Sequence, residues 1–256
     1  MKITFLGTGA HDYAKTLATD FKDKFDKDAR RSSAMMIGER YLIDCGDHIL
    51  DELRIAGIDT SKITDIFNTH QHCDHFNVEN AARIAEMAGG SVRLWVREGA
   101  SIPEAPGVEV VHMKQFERYE VKDGFFITGM PANHEPNVNP QHLIIETEGK
   151  KLFYGCDGGW LLNPTYNYMR EERFDLMVLD CTVGDYVGDL RLGEHNSIPM
   201  IRLMLPSFRT TNITTEQTVI ILSHIAPSLH APHDETVEIA KEIGCLVAYD
   251  GLTIEM

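Results

Sequence analysis

The chain has 256 residues, of which 43% are hydrophobic, and a formal net charge of -15 at pH 7. This length and apolar content favour one domain with a large core, which residues 1–256 are expected to form. Because a strongly negative chain repels phosphate backbones and anionic headgroups, neither nucleic acid nor a membrane is an expected partner. The first apolar run is too short for a signal peptide and no later run is long enough to span a membrane, so the protein is expected in the cytoplasm.

Short apolar runs bounded by Gly, Asp, Asn or Pro predict strands throughout the chain. In chain order they are KITFL, SAMMIG, YLIDC, ITDIFN, VRLWV, FFITGM, HLIIET, KLFYGC, LMVLD, TVIILSH, CLVAYD and LTIEM. The turn EGK joins HLIIET to KLFYGC, so these two runs should pair antiparallel. Helical patterns lie between strands, most clearly in DETVEIAKEIG and in NVENAARIAEMAG, whose apolar face is expected at Val78, Ala82, Ala85 and Ala88. The alternation predicts an α/β fold with a mixed sheet.

Two stretches near the amino terminus show neither pattern. TDFKDKFDKDARR, Thr19–Arg31, interleaves Lys and Asp without an apolar stripe and is expected to be a solvated loop, with a mobile flap over a site as the alternative. GAHDYAKT, Gly9–Thr16, approximates the phosphate-binding motif GxxxxGK[ST], but Ala14 occupies the position of its second glycine. A nucleotide-binding loop is therefore not expected. The GTG before it is expected to form a tight turn that brings His11 within reach of a site.

The stretch NTHQHCDHFN groups four side chains that suit metal binding. His70 and His72 are two residues apart at the end of a short buried run, so in extended backbone they leave on the same side. Asp74 and His75 follow where the chain must turn into the next helix, and they can point at a second position. Neutral imidazole and carboxylate suit zinc, manganese or iron. A solvated, polar strand end is the alternative, and this combination of ligand types at this spacing argues against it.

The five cysteines are odd in number and dispersed, without a CxxC pair. This distribution argues against a disulfide framework or a thiolate zinc knuckle and suits a reducing compartment. The cysteines are interpreted as small buried residues. Cys73, although it lies inside the histidine-rich stretch, is expected to be packed rather than to bind metal.

The histidine-rich stretch is one part of a longer pattern. HxHxDH, followed by a distant His, then Asp, then His, resembles the metallo-β-lactamase superfamily, whose members place two metals at the edge of a four-layer αββα sandwich with mixed sheets. The later parts are PANHEP with His134, FYGCDGG with Asp157 and ILSHIAP with His224. The resemblance implies one metal bound by His70, His72 and His134, a second bound by Asp74, His75 and His224, and Asp157 bridging both.

The resemblance implies two divalent ions, zinc or manganese first and iron third, since His and Asp ligands admit all of them. A bridging carboxylate offsets metal–metal repulsion and holds such ions about 3.5–4 Å apart. Asp44, in YLIDCG, is expected to orient a ligand histidine instead of binding metal itself. Lactam-cleaving members usually alter HxHxDH or use a Cys ligand, whereas phosphodiesterases, tRNA 3′-processing nucleases, thioester hydrolases and lactonases share the intact pattern.

A second resemblance is narrower. VLDCTVGDYVGDLRLGEHNSIPMI, together with VIILSHI and VAYDGLTIEM, looks like the last third of the phosphodiesterases that open phosphoribosyl 1,2-cyclic phosphate during phosphonate breakdown. With ITFLGTG at the start, the similarity covers nearly the whole chain, and its motifs are dense after Phe125. It implies that His195 lies beside the metals and assists catalysis. Asp74 is the second residue for which we expect a catalytic role. A locally bonded histidine at a helix start is the alternative for His195.

The chain departs from that family at two places. Its Ala10–Arg31 segment lacks the cysteine-rich insertion that often binds a structural zinc in the family. SHIAPS also lacks the His that often follows the last ligand, and His230 and His233 either replace it or lie at the surface. A different substrate is compatible with both departures.

The sequence therefore predicts a metal-dependent phosphodiesterase that hydrolyses a small phosphodiester, cyclic ones included, through a metal-bridging hydroxide. In this hypothesis His195 helps to expel the ester oxygen. Three alternatives stay open: a carbonyl ester, thioester or lactone hydrolase on the same site, a tRNA 3′-processing nuclease, and a metal-binding sensor without turnover. The expected partner is the small-molecule substrate, and a homodimer is not excluded.

Overall fold

The computed structural model describes residues 1–12 and 23–256. Its strands form two seven-stranded sheets. The strands of the first sheet are β1 Lys2–Gly7, β2 Ala34–Ile37, β3 Tyr41–Ile43, β4 Asp65–Phe67, β5 Val92–Arg97, β6 Val108–Met113 and β14 Thr253–Glu255. Their spatial order is β14-β1-β2-β3-β4-β5-β6. The pairs from β14 to β3 are antiparallel, and those from β3 to β6 are parallel.

The second sheet is also mixed. Its strands are β7 Arg118–Lys122, β8 Phe125–Pro131, β9 Gln141–Thr147, β10 Lys150–Gly155, β11 Leu176–Asp180, β12 Val219–Ser223 and β13 Leu246–Val247. They lie side by side in the order β13-β12-β11-β10-β9-β8-β7. The pairs from β7 to β10 are antiparallel, including the predicted β9–β10 hairpin, and those from β10 to β13 are parallel.

Helices cover the outer face of each sheet. The helices are α1 Ile49–Ile55, α2 Val78–Met87, α3 Asn163–Met169, α4 Ile198–Thr210 and α5 His233–Lys241. The first two pack on one sheet and the other three on the other sheet. The order of layers is therefore helix, sheet, sheet, helix, which is the predicted αββα sandwich. In the part of the chain that the structure describes, no helix is long and apolar enough to cross a membrane.

The alternation of side chains along each strand produces these layers. In β10, Leu152 and Tyr154 point between the sheets, whereas Phe153 packs toward the helices. In β9, Leu143 points between the sheets and Ile144 points outward. Because successive side chains leave a strand on opposite faces, a shift of one residue in register would exchange these two cores. Apolar residues at consecutive positions therefore specify a strand that is buried on both faces.

The predicted strand runs all contain strands, but two strands were not predicted. Both of them, β6 and β7, lie at the edge of a sheet. Edge strands keep one side exposed. In these two, VEVVHM and RYEVK, polar residues interrupt the apolar ones, so a search for apolar runs misses them. The predicted apolar face of α2 was also partly wrong, because the fully buried positions include Ala81 and Ile84 rather than Val78 and Ala82.

The Lys/Asp tract lies partly outside the described residues. Its described part, residues 23–31, contains turns and bends, and most of its first six residues are exposed, but it ends in buried Arg30 and Arg31. The expectation of a solvated loop was therefore wrong for its last residues. The Arg30 guanidinium donates to the Thr8 hydroxyl and to the carbonyl oxygen of Ala248, both at 2.7 Å. These hydrogen bonds tie the segment after β1 to the carboxyl-terminal part of the chain.

Replacement of Leu152, which is fully buried between the sheets, tests the packing argument. We expect Leu152→Ala to lower the free energy of unfolding by about 2–5 kcal/mol, because it removes buried methyl groups and leaves a cavity. The matched control is Leu203→Ala on α4, where the side chain is 70% exposed and the expected change is within about 0.5 kcal/mol. Urea unfolding measures both, and equal effects would contradict the described burial.

Candidate metal centre

The candidate site lies where several strands end at one edge of the sandwich. The loop with HxHxDH follows β4, His134 follows β8, Asp157 follows β10 and His224 follows β12. Because β8, β10 and β12 run in the same direction, their carboxyl ends meet at one edge, which is where α/β sheets commonly bind ligands. The topology thus brings distant histidines and aspartates together.

Three residues that follow β3, β10 and β12 adopt left-handed backbone. Asp44, Asp157 and His224 have φ angles of 62°, 54° and 55°. This conformation costs a non-glycine residue about 1–3 kcal/mol and persists only where the surrounding structure imposes it. The extended backbone, and with it the strand alternation, ends at each of the three residues. This cluster of strained positions marks a site built for more than packing.

The first group of donor atoms comes from His70, His72, His134 and Asp157, whose atoms all lie within 4.8 Å of one another. Nε2 of His70 is 3.0 Å from Nδ1 of His72 and 3.1 Å from Oδ2 of Asp157. Nε2 of His134 is 3.1 Å from the same His72 nitrogen. Ligands of a tetrahedral ion with bonds of about 2.1 Å are about 3.4 Å apart. The group therefore has nearly the spacing of a coordination shell.

The second group comprises Asp74, His75, His224 and again Asp157. Nε2 of His75 is 3.2 Å from Nε2 of His224 and 3.5 Å from Oδ2 of Asp74. Oδ2 of Asp157 is 3.4 Å from each of these two histidine nitrogens. All seven residues that the sequence predicts as ligands are thus brought together, and Asp157 is the one that belongs to both groups.

The donor chemistry of both groups fits divalent metal ions. Nδ1 of His72 is 3.0 Å from Nε2 of His70 and 3.1 Å from Nε2 of His134. Without an ion, these nitrogens can pair only through protons that lie between them, because a neutral imidazole offers one N–H and one lone pair. A cation at the centre of each group would instead accept the lone pairs of the facing histidine nitrogens, together with Oδ2 of Asp157. Imidazole and carboxylate donors suit zinc, manganese and iron.

The electrostatics of the site also favour added positive charge. Burial lowers the pKa of the His70 imidazole to about 3, so this ring is neutral and able to bind a metal at pH 7. Although burial opposes the change, nearby carboxylates, first that of Asp74, raise the pKa of His75 to about 10. The imidazoles of His224 and His70 likewise hold the pKa of Asp157 well below its usual range against the effect of burial.

Asp44 has the orienting position that the sequence predicts. Its Oδ2 accepts a hydrogen bond from Nδ1 of His75 at 2.8 Å, and its Oδ1 accepts one from the Thr69 backbone N–H at 2.8 Å. The ring of His75 is therefore held with Nε2 facing the other donors. Gly46 makes this arrangement possible, because a Cβ atom there would lie 1.9 Å from the carbonyl oxygen of Asp74.

Asp180 has the corresponding position on the other side, and the sequence analysis missed it. Its Oδ2 is 3.1 Å from Nδ1 of His224 and 3.1 Å from Nδ1 of His195. Its Oδ1 accepts a hydrogen bond from the Asn196 backbone N–H at 2.8 Å. One fully buried carboxylate thus orients two histidines of the site. The available signal was its position at the end of the apolar run LMVLD, the same context as Asp157.

His195 lies beside both groups of donors. Its Nδ1 is 3.2 Å from Oδ1 of Asp157, and its ring stacks on that of His224 with centroids 5.6 Å apart. The nitrogen is engaged by acidic side chains, and the residue that caps α4 is Ser197, which accepts from the Met200 N–H. These contacts argue against the alternative that His195 is a locally bonded histidine at the helix start.

A cavity of about 360 Å³ opens over the two groups. One wall carries Arg191, Glu194 and His195, which precede α4, and the opposite wall carries residues of the two loops after β1 and β4. The GTG segment leads into the cavity, as predicted, since Ala10 and His11 line it. The predicted tight turn was wrong, because Gly7 ends β1 and Gly9 forms bridges to Ser32 and Ile225. A small molecule can therefore reach the centre.

Three sequence expectations outside the ligand set need correction. Cys73 is exposed and lines the cavity, whereas the other four cysteines are buried as expected. The chain turns at residues 72–75, so the strand alternation that placed Cys73 in the interior does not apply there. His230 and His233 do not line the cavity; His230 bonds to the Cys181 carbonyl oxygen at 2.7 Å, and His233 is buried against Arg30.

Comparison with known proteins agrees with this geometry. Residues 39–245 match the family model described as the beta-lactamase superfamily domain. The chain belongs to this superfamily. The predicted resemblance is thereby confirmed, and so is the predicted fold, because solved structures of the same fold align over the whole chain.

Two of these structures are a metallo-beta-lactamase fold protein, YhfI, from Bacillus subtilis and a diphosphatase from the PhnP family. The first aligns with a TM-score of 0.75 at 14% identity, covering 100% of this chain and 99% of that one. The second aligns with a TM-score of 0.71 at 18% identity, covering 100% and 97%. A ribonuclease Z of Methanococcus maripaludis is 40% identical over 76 residues, which are 29% of this chain and 21% of that protein. The chain thus spans about a fifth of this curated relative.

The Asp44 contact supplies a test of the centre. We expect Asp44→Asn to weaken metal binding by about 10–100-fold, because an uncharged partner holds His75 less firmly in the ligating orientation. Asp51→Asn is the matched control, since the Asp51 side chain is 61% exposed on α1. Competition with a chromogenic chelator measures the affinity, and equal affinities of the two variants would contradict the orienting role.

Proposed function

We propose that this protein is a metal-dependent hydrolase that cleaves small phosphodiesters, cyclic ones included. The observation that carries the proposal is the convergence of two donor groups on a shared, buried Asp157 beneath an open cavity. Membership of the superfamily supports it, as does the similarity to a ribonuclease Z and to the fold of a diphosphatase. We take zinc or manganese as the first candidates for the metal and iron as the third.

In this proposal each donor group holds one divalent ion. The residues that would hold the first are His70, His72 and His134, those that would hold the second are Asp74, His75 and His224, and Asp157 would contact both. When bound, two such ions lower the pKa of a water molecule from 15.7 toward about 7 and polarise phosphoryl oxygens. Their positive charge also reconciles an anionic substrate with a chain of net charge -15.

The proposed role of His195 is proton transfer to the departing oxygen of the ester. Asp180 engages Nδ1 of this ring, so Nε2 is the nitrogen that remains to exchange a proton with a molecule in the cavity. The same carboxylate stabilises the charged form of the ring before transfer. Asp74 is the second candidate for catalysis, because it lines the cavity and its Oδ1 lies on the side away from the contact of Oδ2 with His75.

The cavity favours a small substrate over a nucleic acid. Its volume of about 360 Å³ is at the lower end of the range of about 300–1,000 Å³ that is usual for small-molecule sites. The net charge of -15 would repel a polynucleotide backbone. The match to a ribonuclease Z supports tRNA 3′-processing as the second candidate function, with the same hydrolytic chemistry.

The first test concerns the metals and the type of bond cleaved. Protein purified without chelators should contain divalent transition metal by mass spectrometry and should hydrolyse bis(p-nitrophenyl) phosphate or a cyclic phosphodiester. Asp157→Asn should lower both the metal content and the turnover, because it removes the charge shared by the two groups. Metal-free wild-type protein would refute the proposal, and turnover of acyl esters alone would identify a carbonyl hydrolase.

The second test isolates His195. We expect His195→Ala to reduce turnover by about 10²–10⁴-fold, the usual contribution of a general acid, with the metal content unchanged. His112→Ala is a suitable control, since His112 is an exposed residue of β6. A His195→Ala variant with wild-type turnover would exclude the proposed proton transfer.

A further inference from the structure

A third set of metal-binding atoms lies in the wall of the cavity. It comprises Nδ1 of His11, Sγ of Cys73 and a carboxylate oxygen of Asp74, all within 4.8 Å of one another. The thiol sulfur is 3.8 Å from the imidazole nitrogen, which is 4.0 Å from Oδ1 of Asp74. Two of the three residues, His11 and Cys73, belong to neither of the two groups described above.

The two oxygens of Asp74 face different partners. Oδ2 is the atom nearest to His75 and His224, at 3.5 and 4.0 Å, whereas Oδ1 is the atom nearest to His11. One carboxylate can therefore contact an ion of the buried centre through one oxygen and an ion at the mouth through the other. Asp74 therefore links the third set to the proposed active site, and no ligand of the first group takes part in that link.

The distances suit a tetrahedral transition metal. Zinc bonds of about 2.3 Å to sulfur and 2.0–2.2 Å to nitrogen and oxygen place neighbouring ligand atoms about 3.3–3.6 Å apart. The sulfur–nitrogen separation of 3.8 Å exceeds its expected value by about 0.2 Å, and the nitrogen–oxygen separation of 4.0 Å exceeds its expected value by about 0.6 Å. The His11 side chain is 60% exposed, and binding of an ion would require a shift of its ring toward Asp74.

The backbones that carry these side chains are held in place. The N–H of Ala10 donates to the carbonyl oxygen of Ile225 at 3.0 Å, next to the site residue His224. The carbonyl oxygen of Cys73 accepts from the N–H of Asp47 at 3.0 Å. His11 and Cys73 are therefore presented to each other by anchored loops.

We propose that His11, Cys73 and Asp74 form an accessory site for a third, exchangeable divalent ion with affinity for sulfur, such as zinc, and that its occupation inhibits the enzyme. On binding, the Cys73 thiol releases its proton to solvent as the metal–sulfur bond forms, and water completes the coordination. With three protein ligands at a solvent-accessible position, this site binds more weakly than the buried groups.

The ion obstructs the cavity and competes for Asp74. The binding site stands by itself, whereas the inhibition rests on the proposed hydrolase function.

Cobalt provides a specific probe of the site. Thiolate bound to Co²⁺ gives a charge-transfer band in the near ultraviolet, and the two buried groups contain only nitrogen and oxygen donors. Co²⁺ titrated into metal-loaded wild-type protein should therefore produce this band with saturation near one further equivalent. Cys73→Ser should abolish the band, and His11→Gln should weaken the binding of Co²⁺ by at least about tenfold. His112→Gln, which changes an exposed histidine of β6, should behave as wild type.

Two results would overturn the site: no thiolate band in the wild-type protein at millimolar Co²⁺, or an undiminished band in Cys73→Ser. For the inhibition, zinc in excess of the buried sites should lower the hydrolysis of bis(p-nitrophenyl) phosphate in the wild-type protein. Relative to its own uninhibited rate, Cys73→Ser should lose much less, and equal fractional inhibition would refute the regulatory role. A thiolate band in protein without any hydrolysis would support the site while contradicting the proposed function.

Discussion

The rest of the structure has to compensate one electrostatic cost, which is that of burying carboxylates and imidazoles together at one edge of two apolar sheets. Asp157 is only 4% exposed, yet its carboxylate approaches histidine nitrogens of both donor groups at 3.1–3.5 Å. A buried carboxylate is stable only with compensating positive charge and hydrogen bonds. Here the compensation comes from histidines carried by separate strands, and cations would complete it. The topology brings the strand ends to one edge, and the buried carboxylate is stable only because histidines from several of those ends meet there.

Two further carboxylates stabilise this arrangement from behind. Asp44 engages Nδ1 of His75, and Asp180 engages Nδ1 of His224. Each of these rings is thereby turned so that its Nε2 faces the centre, where the two Nε2 atoms are 3.2 Å apart. Asp180 also engages His195, so it couples the orientation of a metal-ligand candidate to that of the proposed acid. The geometry of the site is consequently determined by residues that contact the candidate metal ligands and would not touch a metal themselves.

The segment after β1 contributes to the site from outside the histidine-rich stretch. It is tied to the rest of the fold by the bonds of Arg30 to Thr8 and Ala248 and by the bond of Ala10 to Ile225. These contacts place His11 opposite Cys73 at the cavity mouth. The Lys/Asp tract, whose composition suggests a solvated loop, thus ends in buried arginines. The Arg30 guanidinium bonds to partners that are distant in the sequence, and these bonds hold one wall of the cavity in place.

Most of the fold and the set of ligand candidates could be predicted from the sequence. Strand alternation and the association of histidine and aspartate with metals are properties of short segments, so His70 and His72 could be recognised from their immediate neighbours. Asp157 was identified only through the resemblance of the longer pattern to the superfamily. Two of the four edge strands, β6 and β7, were missed because polar residues interrupt their apolar ones. The face of α2 was misplaced because the Ala-rich helix offers little contrast between its sides.

By itself, the sequence determined the chemistry of the site, since the types of donor atom and their positions at strand ends are local. The tertiary structure alone decided which of those atoms meet and which residues orient them. Asp180 became an orienting group because β11 ends beside β12, and Cys73 became a cavity residue because its loop turns instead of continuing as a strand. Both outcomes depend on contacts between segments far apart in the chain, which no pattern within one segment encodes.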